Sequence, residues 1–511
     1  MKILRPNRIM KVLALVLVVL LFASCGNSDN TDEVTTTTAP TTATNQPVVI
    51  TPDFKVGYIG SDSLNPFDAS TAPNCAITKL MFDSLFVCDD SFAPQALLAQ
   101  SYTFEDDIIT VSLKQGVVFS DGTPLTAADI SYSFTMAKNS SLYSERLSSV
   151  AYTMYVDDYT VKFVMNKDNP HAVSCLDFPI IKANSYSSPV GSGRYVYSTA
   201  YGNYLMINTK YTLGQNDGFK VIGLCDVGTA DTVAYKVQMG DIDFAFDNLS
   251  SGNAPNISTS NAPVSLNNMV FLGMNGESEL LQYENIRKAV RSAIDVEAVT
   301  SGVYGAFAKP SALPYHPAWY AADSSFTFEE KTTLEYLSSI GYNHINDDGL
   351  ATNGYYTIKL TLIVNEENAQ RVALANEVAR RIREAGIDVE VVKYTFSEYV
   401  SALKGKNYDL YIGEVRLTAD MNLSSIFSGF LYYQKTNDYG IASNNVAIEA
   451  YSKFLSGEIT MNEFLDVFTA SCPFAPICFR NGAAIFSRRL GGTDGIFAGD
   501  VFGGINEWMM S

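Results

Sequence analysis

The order of apolar and polar residues predicts a chain that mixes strands with helices. Ile108 to Leu113 alternates apolar and polar positions, as a strand with one buried face does. Ser120 to Pro124 predicts a turn, because its Gly relieves the restriction on φ and its Pro fixes the next φ. Thr126 and Asp129 have the spacing of a capping box, so we expect a helix that begins there and runs through Phe134.

A second, more regular pattern lies in the later part of the chain. Strand-like and helix-like segments follow one another in strict alternation: Thr357 to Val364, Ala369 to Ala385, Ile387 to Val392, Phe396 to Leu403, and Tyr408 to Ile412. The long helix is expected to end at Gly386, a favoured C-terminal capping residue. Strand–helix–strand–helix–strand order predicts a βαβ arrangement with a parallel sheet, so the fold class is α/β.

The N-terminus has the features of an export signal. Positive residues at Arg5, Arg8 and Lys11 precede an apolar run from Val12 to Phe22, which is too short to span a bilayer as a mature helix. Small residues then lead into Cys25. This arrangement resembles a bacterial lipoprotein signal, so residues 1–24 are the predicted signal peptide and Cys25 is the predicted lipidation site. The alternative is an ordinary secretory signal with an incidental cysteine.

The segment after the signal is predicted to be a tether. Residues 25–47 are rich in Thr and contain almost no large apolar side chain, so they cannot bury enough surface to fold. Folding is expected to start near Val48. A lipid at Cys25 would then hold the folded body at the membrane surface without spanning it.

Length and charge narrow the class of protein. The 511 residues carry a formal net charge of −19 at pH 7, and removal of the basic signal makes the remainder more acidic. Nucleic acid is therefore a poor partner, because phosphate binding relies on Lys and Arg. The roughly 460 residues beyond the tether suggest two or more domains.

Six cysteines remain if Cys25 carries lipid: Cys75, Cys88, Cys175, Cys225, Cys472 and Cys478. Outside the cytoplasm this even number permits three disulfides, and Cys472 with Cys478 is the easiest local pair. Free thiols in a reducing habitat are the alternative. No Cys-x-x-Cys pair supports a zinc site.

Eight short segments, in order, resemble the extracytoplasmic solute-binding proteins that serve ABC importers for oligopeptides, dipeptides and nickel. They are Ser63–Pro66, Met81–Leu85, Phe119–Ile130, Gly191–Tyr195, Asn208 with Tyr211, Gly240–Asp243, Ile286–Asp295 and Leu334–Tyr342. Phe119 stands where the family usually has Trp. The resemblance covers essentially the whole body of the chain.

The resemblance implies a two-lobed, periplasmic-binding-protein-like fold (class II, cluster C) that closes on a ligand. Lobe I is expected to comprise residues 48–88, 188–267 and a C-terminal return at 472–511, with an inserted subdomain at 89–187. Lobe II is expected at 268–471. The segments that cross between lobes are expected near Met269–Asn275 and Pro473–Phe479.

The resemblance also implies a ligand site, with a short peptide held between the lobes by main-chain hydrogen bonds. The family position that takes the peptide's amino terminus matches Asp420, and a carboxylate facing a desolvated ammonium suits that role. The remaining expected contacts are Val415, Arg416, Leu417, Thr418 and Asn275 in lobe II, Thr71 and Ala72 within the segment 70–73 of lobe I, and Phe474; Tyr432 and Tyr433 are further candidates for side-chain pockets.

Alternatives to these roles come from the same residues. Asp420 is also a favoured N-cap for a short helix through Phe427. Arg416 stands where a smaller residue is common, so it either pairs with Asp420 or holds a ligand carboxylate. Leu417 stands where the family commonly has Trp, which removes an aromatic wall. Phe474 is an aromatic of the kind more often found in a core.

Catalysis is not expected. The sequence has no P-loop, dinucleotide fingerprint or Gly-x-Ser-x-Gly elbow in a suitable context, and its histidines, His171, His316 and His344, are scattered. We expect no cofactor and no metal ligand set. Other ligands remain open, namely an oligosaccharide, a nickel chelate or haem; for the last two, His316 is the histidine nearest a plausible lobe surface.

The expected protein is thus a lipid-anchored monomer on the outer face of the cell membrane, or facing the periplasm, that delivers a short peptide to an ABC permease. A surface receptor or adhesin without a transport role is the second alternative.

Overall fold

A computed structural model describes residues 51–166, 168–200, 203–252, 260–427 and 445–511. The predicted signal, Cys25, the tether, Tyr432 and Tyr433 lie outside the described residues. The part from residue 49 onward forms one compact unit.

Strands and helices are interspersed through the described residues. The strands are β1 (Phe54–Tyr58), β2 (Phe86–Cys88), β3 (Pro94–Ala96), β4 (Ala99–Glu105), β5 (Ile108–Leu113), β6 (Val150–Asp157), β7 (Thr160–Met165), β8 (Tyr195–Ser198), β9 (Tyr204–Ile207), β10 (Val221–Asp226), β11 (Phe244–Asp247), β12 (Ser260–Met274), β13 (Ala308–Pro310), β14 (His344–Ile345), β15 (Ala351–Thr352), β16 (Lys359–Asn365), β17 (Asp388–Tyr394), β18 (Leu410–Arg416), β19 (Phe474–Phe486), β20 (Leu490–Gly491) and β21 (Met509–Met510). The α-helices are α1 (Ala72–Thr78), α2 (Ala127–Asn139), α3 (Val233–Met239), α4 (Glu284–Ser292), α5 (Val296–Tyr304), α6 (Thr333–Ser338), α7 (Ala369–Glu384), α8 (Phe396–Lys404), α9 (Ser424–Phe427), α10 (Asn445–Leu455) and α11 (Met461–Ser471).

One mixed sheet runs through both lobes. Its order is β17-β16-β18-β12-β19-β11-β1-β10-β9-β8, with β13 beside β19. The long strands β12 and β19 pair antiparallel along most of their length and are shared by the lobes. On one side of them lie β18, β16 and β17 with their helices, and on the other lie β11, β1 and β10. This is the α/β, two-lobed architecture expected from the sequence.

The change of partners along these shared strands locates the boundary between the lobes. In β12, the pairing with β18 of lobe II begins at Asn268. In β19, residues as late as Arg480 pair with β13 of lobe II, and the pairing with β11 of lobe I begins at Ala483. The C-terminal boundary therefore lies close to residue 481 rather than at 472, and the crossings lie before Met269 and after Phe479.

A buried ionic cluster lies at this boundary. Both carboxylate oxygens of Glu414 are used: Oε1 accepts from Arg480 Nη2 at 2.6 Å and from Asn268 Nδ2 at 2.8 Å, and Oε2 accepts from Arg371 Nη2 at 2.8 Å. Arg480 also donates to the carbonyl of Asn248, which follows β11 in lobe I. Although burial favours the neutral acid, the two arginines lower the pKa of Glu414 to about 2.

The inserted subdomain is a four-stranded antiparallel sheet, β4-β5-β7-β6, covered by α2. The capping box predicted at Thr126 and Asp129 is present at the start of α2. The core of the subdomain, which includes Phe134 and Phe163, is continuous with the core of lobe I, which includes Phe54 and Phe244. The subdomain is therefore packed on lobe I as part of the same body.

The βαβ prediction for the later part of the chain is confirmed. β16 pairs parallel with β17 and with β18, and α7 and α8 connect them at bounds within a few residues of those expected. Leu374, Val378 and Ile382 on α7 are fully buried, which is the helical spacing that the sequence displayed.

The six described cysteines are free thiols. This is the alternative to the three disulfides that their even number permits. Arg287 and Arg291 on α4 are scaffold residues. Arg287 donates to the carbonyls of Ser471 and Cys472, and Arg291 donates to the carbonyl of Thr469. These bonds satisfy carbonyl groups at the C-terminal end of α11, which otherwise lack partners within the helix.

Candidate functional site

The C-terminal end of β18 and the turn after it carry most of the site residues predicted in lobe II. Leu417 N donates to Asn267 O at 2.9 Å, and the Asn267 amide donates back to Leu417 O. Because alternate residues point to opposite faces of a strand, Val415 and Leu417 are buried in the lobe II core while Arg416 is exposed. The two apolar residues therefore contribute packing, and Arg416 and the turn contribute polar groups.

Asp420 lies at the contact between the lobes. Its side chain is 6% exposed. Oδ2 accepts a hydrogen bond from Asn169 Nδ2 of the inserted subdomain at 2.7 Å, and Oδ1 accepts one from the Thr418 hydroxyl. Asn422, not Asp420, caps α9, since its Oδ1 accepts from Ser424 N at 2.8 Å. The helix-cap interpretation of Asp420 is therefore wrong.

Other contacts near Asp420 also join the subdomain to lobe II. His171 Nδ1 and Tyr320 Oη are 2.9 Å apart, and Tyr320 N donates to Ser91 O at 2.8 Å. The ring of Phe92 lies 4.8 Å from that of His316. The structure is thus a closed arrangement, in which Asp420 is covered by residues of the opposite lobe.

No cation of the described residues balances the charge of Asp420. Within the described ranges, its hydrogen-bond donors Asn169, Thr418 and Cys175 are neutral, and no Lys or Arg forms an ion pair with it. Burial lowers the pKa of the nearby His171, so its imidazole is neutral at neutral pH. A buried carboxylate without a positive partner is unfavourable, and this makes Asp420 a candidate site for a positively charged ligand group.

Glu145 of the inserted subdomain adds a second acid beside Asp420. Its side chain is accessible to water, yet burial raises its pKa, the charge of Asp420 raises it further, and a hydrogen bond from Ser425 lowers it. A group that is accessible and also poorly solvated is expected on the wall of a narrow cleft. Glu145 and Asp420 therefore concentrate negative charge where the lobes meet.

Arg416 has the same combination of accessibility and poor solvation. It is exposed, yet burial and the repulsion of Arg146 lower its pKa. Among the described residues its guanidinium makes no hydrogen bond and no ion pair. The expected alternative in which Arg416 neutralises Asp420 is therefore not found.

Thr71 and Ala72 lie at the N-terminus of α1 in lobe I. Thr71 N and Oγ1 donate to Asp62 Oδ2 at 2.9 and 2.7 Å, and Ser70 also donates to Asp62. Although burial opposes the change, these hydrogen bonds lower the pKa of Asp62. Asp62 thus fixes the segment 70–72, and Cys75, one turn along α1, lies in the electrostatic range of Arg416.

Two of the predicted site residues, Asn275 and Phe474, lie away from the C-terminal end of β18. Asn275 follows Met274, whose partner Leu410 is at the other end of β18 from Arg416, and its Nδ2 donates to the carbonyls of Lys406 and Tyr408. Phe474 is fully buried and packs on Phe271 and Phe468. Neither residue is placed as a ligand contact. The hydrogen bonds of Asn275 stabilise the segment that leads into β18, and Phe474 is a core residue.

His316 is buried where the inserted subdomain meets lobe II. It is 0% exposed, lies between Phe92 and Phe479, and accepts a hydrogen bond from Ala318 N at Nδ1. Burial lowers its pKa to about 4. In the part of the chain that is described, no group of three or more His, Cys, Asp or Glu side chains is arranged to hold a metal ion.

Four residues of the inserted subdomain that were not expected from the sequence lie beside these candidates: Asn169, Glu145, Arg146 and Asp177. Arg146 Nη1 donates to both oxygens of Asp177, at 2.6 and 2.7 Å. None of the four lies in one of the eight family-like segments. Their one sequence signal is a cluster of polar residues around short loops, which is too common to be selective.

Fold and site together define a two-lobed solute-binding protein. Residues 93–438 match the bacterial extracellular solute-binding proteins, family 5 (middle region). The chain belongs to this family, whose members carry substrates rather than transform them. Among the helices that the structure describes, none is long and apolar enough to cross a membrane.

Particular relatives agree with this assignment. The chain is 25% identical over 405 residues to the oligopeptide-binding protein AppA of Bacillus subtilis, covering 70% of this chain and 72% of AppA. It is 24% identical over 377 residues to the glutathione-binding protein GsiB of Escherichia coli, covering 68% and 71%. Among solved structures, an ABC transporter substrate-binding protein from Sinorhizobium meliloti has a TM-score of 0.70 at 17% identity, covering 90% and 99%.

Proposed function

We propose that this protein is a lipid-anchored receptor that captures short peptides between its lobes and delivers them to an ABC importer. AppA is named as oligopeptide-binding and GsiB as glutathione-binding, and both names support a peptide ligand. The family itself supports an extracellular role.

The observation that carries the proposal is the buried carboxylate of Asp420 at the contact between the lobes, which has no cationic partner among the described residues. The amino terminus of a peptide would supply the missing positive charge through a charge-assisted hydrogen bond. Glu145 would strengthen the attraction. Asn169 and Thr418 each occupy one carboxylate oxygen, and a carboxylate has about four acceptor positions, so both bonds are compatible with a bound ammonium.

The backbone of β18 supports the same proposal. β12 pairs with β18 from Leu410 to Arg416, whereas β16 on the other side pairs only with Leu410 and Tyr411. Among the described strands, none therefore covers the β16-facing edge from Gly413 to Arg416. An extended peptide would add to this edge as a further strand, which tolerates many side chains because the main chain is common to all peptides.

A thermal-shift screen tests the proposal. Purified protein, freed of co-purified ligand, would be melted with di- to pentapeptides, oligosaccharides, nickel–histidine and haem, since a ligand that binds only the folded state raises the melting temperature. We expect stabilisation by peptides with a free amino terminus and its loss on N-acetylation. A response restricted to sugars, nickel chelate or haem would retain the carrier role and refute the peptide ligand. Binding without delivery to a permease would favour a surface receptor or adhesin.

Membrane attachment is part of the proposal and is tested separately. We propose that Cys25 carries the lipid and that the protein acts as a monomer. Cys25→Ser should release the protein from the membrane fraction into the soluble fraction, as followed by immunoblotting, and size-exclusion chromatography of that variant should give the monomer mass. Continued membrane attachment of Cys25→Ser would refute the anchor.

A further inference from the structure

Lobe I contains a cavity of about 260 Å³, here called the lobe I cavity, whose polar wall includes Asp83, Asp500, Arg194 and Tyr211. The described residues that line it all belong to lobe I or to the inserted subdomain, so the cavity does not depend on contact with lobe II. Gln95, on its wall, is exposed, which gives the cavity an opening to solvent.

Asp83 contributes a buried carboxylate that is only partly hydrogen-bonded. The residue is 7% exposed, and its Oδ2 accepts from the Ser192 hydroxyl at 2.7 Å. Its Oδ1 accepts no hydrogen bond from a described residue. A buried acceptor without a donor is unfavourable, so Asp83 Oδ1 marks a position in the cavity where a donor from a ligand fits.

Asp500 contributes a second carboxylate to the same space. Its Oδ1 accepts from Phe502 N at 2.9 Å, and its Oδ2 accepts from no described donor. Burial raises the pKa of Asp83 to about 6, and the charge of Asp500 raises it further; burial also raises the pKa of Asp500. Both carboxylates also raise the pKa of Tyr211. The two acids therefore act on one another and on the same neighbour.

The two basic residues on the wall use their donors elsewhere. Lys79 is exposed, and its Nζ donates to Gly499 O. Arg194 Nη1 donates to Gln215 O at 2.6 Å, and its guanidinium lies 4.7 Å from the centre of the Tyr211 ring. Among the described residues, neither forms an ion pair with one of the two acids. Their charges lower the pKa of the second acid, but burial outweighs them, so the carboxylates lack a close cation.

The rest of the wall is largely apolar and includes Phe82, Phe86 and Phe502. A water molecule takes about 30 Å³ of liquid, so the cavity has room for more than a few waters. It lies just below the range of about 300–1,000 Å³ that is usual for small-molecule sites. A short aliphatic chain that ends in an ammonium group matches this wall, because the chain packs on the rings and the ammonium offers three donors.

We propose that the lobe I cavity binds a small alkylammonium ion, whose ammonium group is held by Asp83 and Asp500. This is a second ligand site, beyond the peptide cleft, and it does not rest on the proposed function. The ammonium donates to Asp83 Oδ1 and Asp500 Oδ2 in charge-assisted hydrogen bonds, which are the stronger kind. Enclosure strengthens them further, because little water screens the charges.

Thermal melts with a matched pair of ligands test this inference. Butylamine, which is a cation at pH 7.5, would be titrated against the protein beside the neutral butan-1-ol at equal ionic strength. The variants are Asp83→Asn, Asp500→Asn and, as the control, Asp494→Asn, which makes the same change in net charge at an exposed residue of the same C-terminal segment. Each is also made with Asp420→Asn, so that an amine bound in the cleft does not contribute. Asn retains an acceptor at positions 83 and 500, so these variants should fold.

We expect butylamine, and not butan-1-ol, to raise the melting temperature saturably by about 1–3 °C. Asp83→Asn and Asp500→Asn should each raise the half-saturating concentration by about tenfold or more, whereas Asp494→Asn should not change it. Because the chain is acidic, a cation that binds only to surface charge would stabilise all three variants alike, and that result would overturn the inference. Equal stabilisation by butan-1-ol, no stabilisation at all, or loss of the effect on Asp420→Asn alone would also overturn it.

Ligand-detected magnetic resonance on the wild-type protein gives a readout that needs no variant. Saturation of the aromatic protons of the protein should transfer to the methylene protons of butylamine, since the chain lies against the phenylalanine rings of the cavity, and a saturating peptide should leave this transfer unchanged. Absence of transfer, or its loss when the peptide is added, would contradict a site in lobe I. Failure of every peptide to bind would refute the proposed function and leave this test of the cavity unaffected.

Discussion

Replacement of Asp420 by Asn separates the charge of this residue from its hydrogen bonds. The amide oxygen can still accept from Asn169 Nδ2, which lies 2.7 Å from Asp420 Oδ2. In the wild type the Thr418 hydroxyl donates to Asp420 Oδ1. In the variant the amide nitrogen of Asn can donate to that hydroxyl instead. The neutral contacts between the lobes are therefore retained, and what is lost is the negative charge offered to a ligand ammonium.

The expected loss in affinity follows from this geometry. Asp420 is 6% exposed, so an ion pair formed there is desolvated, and truncation of one partner in such a pair costs about 2–5 kcal/mol. At about 1.4 kcal/mol per factor of ten, we expect a peptide with a free amino terminus to bind at least about 30-fold more weakly. The N-acetylated peptide has no ammonium, so its weaker binding should not change.

Titration calorimetry with both forms of one peptide measures the effect. Asp466→Asn is the matched control, because Asp466 is exposed on α11 in the same lobe and the change in net charge is identical. The melting temperature of each variant without ligand reports on folding. If Asp420→Asn lowers the affinity for free and acetylated peptide by the same factor, or for neither, the assignment of Asp420 to the amino terminus is refuted.

Three further predictions concern stability and accessibility. Glu414→Gln removes the anion between Arg480, which is buried, and Arg371, which is partly buried, and should lower the free energy of unfolding by about 3–5 kcal/mol in urea titrations. Glu390→Gln, in an exposed ion pair, should cost under about 1 kcal/mol, and equal losses would contradict a stabilising role of the ionic cluster at the lobe boundary. Burial raises the pKa of Asp83 to about 6, so its ionisation costs stability as the pH rises from about 4 to above 6. Asp83→Asn should therefore stabilise the protein at pH 7.5, by at most about 3 kcal/mol, but not at pH 4, and a gain independent of pH in thermal melts would contradict this. Cys75 and Cys225 are the partly accessible thiols of the described chain; a bound peptide should slow alkylation of Cys75 at pH 8.5 severalfold and leave Cys225 unchanged by mass spectrometry, and equal protection would argue against ligand beside α1.

The local elements were predictable because their signals are local. The capping box of α2 lies within four residues, and the amphipathic pattern of α7 is repeated every turn, so neither depends on distant packing. The parallel arrangement of β16, β17 and β18 followed from the helices that connect them, since such connections force parallel strands. The family resemblance then supplied the order of the lobes.

The boundary in β19 was misplaced for a physical reason. Phe474 to Phe486 is one continuous, fully buried strand, so its residues carry no change of pattern at the point where it passes from one lobe to the other. The exchange is visible only in the partners, β13 near Arg480 and β11 from Ala483.

The candidate site residues also divide into those that the sequence predicted and those that only the packing of the lobes brings together. Asp420, Arg416 and Thr71 were predicted as site residues because family-like positions and charge identify them in one sequence. Asn169, Glu145 and Arg146 were not, because they become neighbours of the lobe II residues only when the lobes meet. Asn169 and Asp420, for example, are 251 residues apart.

The sequence by itself determined the α/β class, the family, and the principal helices and strands. These properties depend on short-range periodicity, capping and motif order. Only the tertiary structure decided that Asp420 is covered by Asn169, that Arg416 is without a partner among the described residues, and that Asn275 and Phe474 belong to the scaffold. Those outcomes depend on which surfaces pack together, and the free energy of that packing is distributed over contacts between residues far apart in the chain.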